Sequence, residues 1–288
     1  MDKERIGIVG LGRMGSAIAA RLSAENYTVS AWSRSGIASA RAAELGIVAH
    51  DELSALATSC DIIILSLIDD AAVDAVLAQL TGLDLAGKLL VETSTVSPDT
   101  LRGHAEAITK AGGCAIDAPV AGGPGMIAGG TVGLYIGGAA ADVERFMPVA
   151  KILSNRILHV GGLGDGAAAK IVNNMMLVGY WQSLKESLLV GLEAGLSRET
   201  MIAVLSGSPA ASGAFKARIP VILGESTDVG FSLAGAVKDA RLVAATAAQY
   251  GVEIPAMRAS LKSFEAALEK GLGETDLANM VRDATERG

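Results

Sequence analysis

A doubly wound α/β domain followed by an all-helical one is the fold class that this sequence predicts, and three observations predict it. Up to Val160, short β-branched runs alternate with amphipathic, alanine-rich stretches, the pattern of a parallel sheet covered by helices. After Gly161-Gly162-Leu163-Gly164 the strand signals stop. From Ala167 to Gly191 apolar residues recur at three- and four-residue spacing, which predicts one unusually long helix. The boundary therefore falls near Gly162, with an α/β domain over 1–162 and a helical domain over 163–288.

In order, Ile6 to Val9, Thr28 to Trp32, Ile62 to Leu65, Leu89 to Glu92 and Cys114 to Asp117 read as strands. Between them, Met14 to Glu25, Ala38 to Leu45, Ala71 to Leu80 and Pro98 to Ala111 read as helices, and Pro98 suits a first helical turn. Thr131 to Ile136 and Ile157 to Val160 are further strands around a helix through Asp142 to Leu153. Beyond the long helix, Arg198 to Leu205, Val237 to Tyr250, Pro255 to Glu269 and Asp276 to Thr285 keep the helical period.

Composition removes several function classes. Half of the 288 residues are hydrophobic, enough for a sizeable core. The net charge of -7, without any Lys/Arg cluster, argues against nucleic acid or an anionic membrane as the partner. No uncharged stretch reads as a membrane span, and Met1-Asp2-Lys3-Glu4-Arg5 lacks the apolar core of a signal peptide, so a cytoplasmic place is expected. Cys60 and Cys114 read as reduced core thiols, and three scattered histidines, His50, His104 and His159, do not suggest a metal site.

Gly10-Leu11-Gly12-Arg13-Met14-Gly15 follows a strand and opens a helix. In that setting the glycines permit a tight turn, let a pyrophosphate approach backbone N–H groups, and allow close helix packing, as in a Rossmann-type dinucleotide site. NAD-binding folds place an Asp or Glu at the end of the second strand to hold the ribose 2′-hydroxyl. Here Ser33-Arg34-Ser35 stands there, a set suited to a 2′-phosphate, so NADP(H) is expected as cofactor, with NAD(H) possible. Aromatic residues are only 3%, which leaves cofactor stacking to Leu67 and Trp32.

Far downstream lies a second motif. Asp165 reads as the N-cap of the long helix, which places Lys170 in its early turns and Asn174, four residues on, on the same face. A helix N-terminus and partial burial both disfavour a charged lysine, and together they would lower its pKa from about 10.4 towards that of a general acid.

The chain resembles the β-hydroxyacid dehydrogenase family over essentially its whole length. The resemblance rests on the glycine motif, on Thr93-Ser94-Thr95-Val96-Ser97-Pro98, on Asp117-Ala118-Pro119-Val120-Ala121-Gly122-Gly123, on Gly166 to Asn174, and on Phe231 with Lys238-Asp239. It implies that Lys170 is the acid/base and that Asn174 holds it and the substrate. It further implies that Thr95 contacts cofactor or substrate, that Gly122 and Gly123 offer backbone donors to a substrate carboxylate, and that Lys238 reaches towards the nicotinamide. The implied reaction interconverts a β-hydroxyacid and its semialdehyde by hydride transfer. The chain departs from the pattern at Ala121, where a serine is usual. Either Ser94 or a main-chain N–H replaces that donor, or the substrate is not a small acid in a standard carboxylate clamp.

Imine reductases share the implied architecture but typically carry Asp or Tyr at the lysine position, and decarboxylating 6-phosphogluconate dehydrogenases are much longer. A non-catalytic dinucleotide-binding module is disfavoured by retention of both Lys170 and Asn174. Trp181, further along the same helix, is expected to line the substrate pocket or a subunit interface. The family implies a homodimer or homotetramer, and the apolar circumference of the long helix agrees with that expectation.

Overall fold

The computed structural model describes residues 3–286; Met1 and Asp2, part of the polar opening read above, lie outside them. The chain divides into two compact units, one ending at Ile171 and one running from Val172 onward.

The first unit is built on a parallel sheet. Strands β1 (Ile6–Val9), β2 (Val29–Trp32), β3 (Val48–Ala49), β4 (Ile62–Leu65), β5 (Leu89–Glu92) and β6 (Cys114–Asp117) lie in the order β3-β2-β1-β4-β5-β6. That is the doubly wound order of dinucleotide-binding sheets. Three more strands, β7 (Val120–Ala121), β8 (Gly133–Gly137) and β9 (Arg156–Gly161), extend it. There β8 runs antiparallel to β6 and β7, and β9 runs parallel to β8.

The central strands are apolar because both faces are covered. Ile62 and Ile64 pack to one side with α1 (Arg13–Ala24) and α7 (Ala140–Leu153), where Ile18, Leu22 and Phe146 are fully buried. Ile63 and Leu65 pack to the other with α3 (Leu53–Ser59), α4 (Asp70–Leu80) and α5 (Pro98–Lys110). Each such side chain contributes about 1.5–3 kcal/mol by leaving water. Caps set the helix starts: the Asp69 carboxylate accepts from Ala72 N at 2.9 Å, and Ser97 Oγ accepts from Asp99 N just ahead of Pro98. Two short helices complete the unit, α2 (Ser39–Leu45) and α6 (Pro124–Ala128).

The long helix α8 (Asp165–Glu193) begins in the first unit and ends in the second. The second unit adds α9 (Arg198–Ser206), α10 (Gly213–Leu223), α11 (Leu233–Gln249), α12 (Pro255–Ala267), a π turn over Leu268–Leu272, and α13 (Asn279–Thr285). Phe215 and Phe264 are fully buried in it. Asp276, 2% exposed, ties its C-terminal segment by accepting from Gly230 N and Phe231 N through one oxygen and from Ala278 N through the other.

Five elements were not expected from the sequence: β3, α3, β7, α6 and α10. The first four have seven residues or fewer, too short for a period to register. In α10, Pro220 interrupts the helical pattern, and Ser212 and Gly224 mark the ends instead. Among the described residues no helix is long and apolar enough to cross a membrane.

Candidate active site

The carboxyl ends of β1, β2, β4 and β5 bring four of the expected segments together. After β1, Gly10 has φ +95°, and a Cβ there would lie 2.4 Å from Ser66 O. A Cβ at Gly15 would lie 2.0 Å from Gly10 O, so the third glycine lets α1 press against the turn. Gly12 differs, since a Cβ there would meet nothing within 4 Å. It stands at the N-cap of α1, which no side chain caps and whose first turn carries no acidic residue. Such an open helix N-terminus suits a pyrophosphate. Leu11, Arg13 and Met14 occupy the same turn, half-buried or exposed.

Ser33, Arg34 and Ser35 follow β2 in a turn closed by Gly36 N donating to Ser33 O at 2.9 Å. The Ser33 and Ser35 hydroxyls stand 3.3 Å apart and Arg34 is exposed. This turn adjoins the glycine loop, because Gly10 N donates to Trp32 O at 3.0 Å. Trp32 itself is half-buried against the core on the α3, α4 and α5 side, and its Nε1 donates to Asp51 O.

Leu67, after β4, reaches the glycine turn: its Cδ2 lies 2.9 Å from where a Cβ on Gly10 would stand. Ser94, after β5, is 7% exposed, and its hydroxyl accepts from Leu67 N at 2.8 Å. Thr95 follows, half-buried. Ala121 ends β7 with 8% exposed, and Gly123 is the N-cap of α6. Between them Gly122 has φ +151°, and a Cβ there would press on Met126 Sδ and Val132 Cγ1 at 3.0 Å. Only glycine fits both demands.

Lys170 lies in the second turn of α8 with 8% of its surface exposed, and Asn174, 2% exposed, follows four residues on. The start of α8 corrects one expectation. Asp165 is the first helical residue, not the cap; its carboxylate accepts from Gly162 N and pairs with Arg102 at 2.9 Å. Capping falls to Asp117, at the end of β6. Its Oδ1 accepts from Gly164 N at 2.7 Å and its Oδ2 from Ala167 N at 2.6 Å. Cβ atoms at Gly137 and Gly166 would stand 2.6 and 2.7 Å from this carboxylate, so those glycines make room for it. Burial pushes the Asp117 carboxyl up and the two N–H bonds pull it back.

Within the second unit, Asn174 Nδ2 donates to Asp239 Oδ2 at 2.7 Å, and Lys238 Nζ pairs with Asp239 Oδ1 at 2.8 Å. Asp239, 5% exposed, thus joins two of the expected residues. In the sequence it stands out only as part of the Lys238-Asp239 pair. Trp181 is 2% exposed and stacks edge-on with Tyr180, their ring centroids 6.4 Å apart. Eleven residues separate it from Lys170 along α8, about 16 Å of helix.

Burial pushes both thiols up, Cys114 to about 11, as inert core cysteines require. Among the described residues no group of three or more His, Cys, Asp or Glu side chains is placed to hold a metal ion.

Comparison with known proteins agrees with the fold. A family model described as the NAD binding domain of 6-phosphogluconate dehydrogenase matches residues 5–161. Another, described as the NAD-binding of NADP-dependent 3-hydroxyisobutyrate dehydrogenase, matches residues 164–283. The chain is 31% identical to 2-(hydroxymethyl)glutarate dehydrogenase of Eubacterium barkeri, over 98% of this chain and 95% of that one. It is 27% identical to glyoxylate/succinic semialdehyde reductase 1 of Arabidopsis thaliana, over 96% of each. The solved structure of Mycobacterium tuberculosis 3-hydroxyisobutyrate dehydrogenase with L-serine shares the fold, with TM-score 0.89 and 24% identity, over 99% of this chain and 100% of that one. With both family models matched in sequence, and with relatives aligned nearly end to end, the chain belongs to the β-hydroxyacid dehydrogenase family.

Proposed function

We propose that the protein is an NADP(H)-dependent oxidoreductase that interconverts a β-hydroxyacid, or a related small alcohol, and its semialdehyde or carbonyl partner. The observation that carries the reading is Lys170. A lysine kept 8% exposed, on a helix pinned to the carboxyl edge of the sheet that also holds the glycine loop, is placed for proton transfer rather than solubility.

The glycine loop fits a dinucleotide, because Gly12 leaves open the space beside a helix N-terminus that a pyrophosphate needs. When bound, the nicotinamide supplies the hydride or accepts it. Arg34, with Ser33 and Ser35, holds a 2′-phosphate, and Leu67 and Thr95 flank the cofactor. Lys170 gives a proton to the carbonyl oxygen during reduction and takes one from the hydroxyl during oxidation. Asn174 is the polar helper that the family resemblance implies, held within the second unit by Asp239, while Lys238 keeps that carboxylate paired. Gly122 and Gly123 present N–H groups to a substrate carboxylate, with Ala121 beside them. Retention of Lys170 favours carbonyl over imine substrates.

A homo-oligomer accords with the large apolar side chains that α8 exposes, Val172 at 66%, Met176 at 73% and Val190 at 70%, and the cytoplasm is its proposed place. The test is oxidation of NADPH, and separately of NADH, with a panel of small semialdehydes and cyclic imines. Semialdehyde turnover faster with NADPH is expected. Arg34→Ala should narrow that preference by about ten- to hundredfold, the worth of a charge-assisted hydrogen bond. Preference for NADH in the wild type, or for imines, would refute the corresponding part.

A further inference from the structure

Glu92 ends β5 with 1% of its surface exposed, on the same face of the sheet as Leu90. Along β5 and on β4 its neighbours are apolar, Leu89, Leu90 and Val91 on the one and Ile62 to Leu65 on the other, while its register partner on β6 is Asp117. A leucine would fill the position, and a carboxyl there costs free energy unless it does polar work. Burial, reinforced by Asp117 on β6 and Asp70 on α4, pushes its pKa up to about 7. Among the described residues its Oε2 has no hydrogen-bond partner.

The polar work is done by the other oxygen. Oε1 accepts from Ser94 N at 2.5 Å, the Ser94 hydroxyl accepts from Leu67 N at 2.8 Å, and Leu67 Cδ2 presses against the Gly10 turn. A second tie, Thr93 Oγ1 donating to Leu65 O at 2.6 Å, joins the ends of the same two strands. A continuous chain of contacts therefore crosses the carboxyl ends of β5, β4 and β1, where the dinucleotide is proposed to bind.

We propose that Glu92 is a positioning residue for dinucleotide binding, the anchor that holds the loops after β4 and β5 as one rigid wall beside the glycine turn. Ser94 is the link in that wall. Glu92 touches neither cofactor nor substrate and acts through Ser94 and Leu67. The inference rests on the proposed cofactor site and adds to it a residue outside the binding motifs.

The experiment is titration of NADPH into wild type, Glu92→Leu, Glu92→Gln and Ser94→Ala, with a thermal melt of each. Glu92→Leu keeps the volume and removes the acceptor, and it should raise the Kd for NADPH by about tenfold. Glu92→Gln keeps an acceptor for Ser94 N and should restore binding to within about threefold of wild type. That rescue is what mere filling of the core would not give. Ser94→Ala breaks the same chain one link on and should weaken binding as Glu92→Leu does, which keeps the inference testable if the Leu variant does not fold. Folded Leu and Ala variants that bind NADPH like wild type would overturn the inference alone. Wild-type protein that binds neither NADPH nor NADH would overturn the cofactor site itself and the inference with it.

Discussion

Asp117→Asn strikes the point on which the placement of Lys170 depends. In the wild type the carboxylate oxygens accept from Gly164 N, just ahead of α8, and from Ala167 N in its first turn, at 2.7 and 2.6 Å, and the side chain is 1% exposed. The amide keeps one acceptor and turns an NH2 towards the other N–H, so one charge-assisted bond worth about 1.5–3 kcal/mol is lost and a buried donor is orphaned. Removing a negative charge from a helix N-terminus costs about a further 0.3–1 kcal/mol. Against this, the substitution relieves the burial that already pushes the carboxyl up. The two losses sum to about 2–4 kcal/mol before that relief, which leaves a net loss of about 1–3 kcal/mol. Urea denaturation followed by far-ultraviolet circular dichroism reads it as a midpoint lowered by about 0.5–1.5 M, given ordinary slopes. Because Lys170 lies one turn beyond Ala167, kcat should fall as well. A loss of stability below about 1 kcal/mol would refute the assignment of Asp117 as the anchor of α8.

Three further outcomes follow from the geometry. Gly12→Ala, whose Cβ would meet nothing within 4 Å among the described residues, should leave the melting temperature nearly unchanged while weakening NADPH binding. Gly15→Ala, whose Cβ would stand 2.0 Å from Gly10 O, should destabilise the fold by about 1–3 kcal/mol, and parallel effects on folding in both variants would contradict the roles given to the two glycines. Ala121→Ser should lower KM for a carboxylate-bearing semialdehyde by about tenfold or more, and an unchanged KM would place the carboxylate clamp elsewhere. Glu92 has a folded pKa of about 7 against an ordinary 4.5, so its neutral form contributes stability that is fully present below pH 4.5 and lost as pH rises through 7. That contribution amounts to about 3 kcal/mol. Glu92→Gln should remove this decline in urea midpoints between pH 5 and pH 8, and a variant that declines as steeply as wild type would show the slope to arise elsewhere.

Much of the fold was legible because its signals are local. Ile6 to Val9, Ile62 to Leu65, Leu89 to Glu92 and Cys114 to Asp117 are bounded as strands just as the apolar runs suggested, since strands covered on both faces must be apolar. The glycine motif was legible for the same reason, its conformational demands being written in residue type at fixed spacing. The partner of α8 was not. Asp165 has the residue type and place of a cap, yet the helix takes its cap from Asp117, 50 residues from Ala167 in sequence, and no local pattern records that meeting. Asp239 and Glu92 escaped likewise. Each works through a contact outside its own element, Asn174 on α8 in one case and Ser94 with Leu67 in the loops after β5 and β4 in the other. The available signal was the carboxyl itself, in Glu92 and Asp117 at the ends of otherwise apolar strands, where a charge has to be explained.

The role of Lys170 is tested most directly by Lys170→Ala, with kcat and the Kd for NADPH measured on the same preparation. A general acid contributes about 10²–10⁴ to the rate, so kcat for semialdehyde reduction should fall by that factor while the Kd for NADPH stays within about twofold of wild type. Near-normal turnover in the variant would contradict Lys170 as the proton donor and, with it, the mechanism proposed for this site.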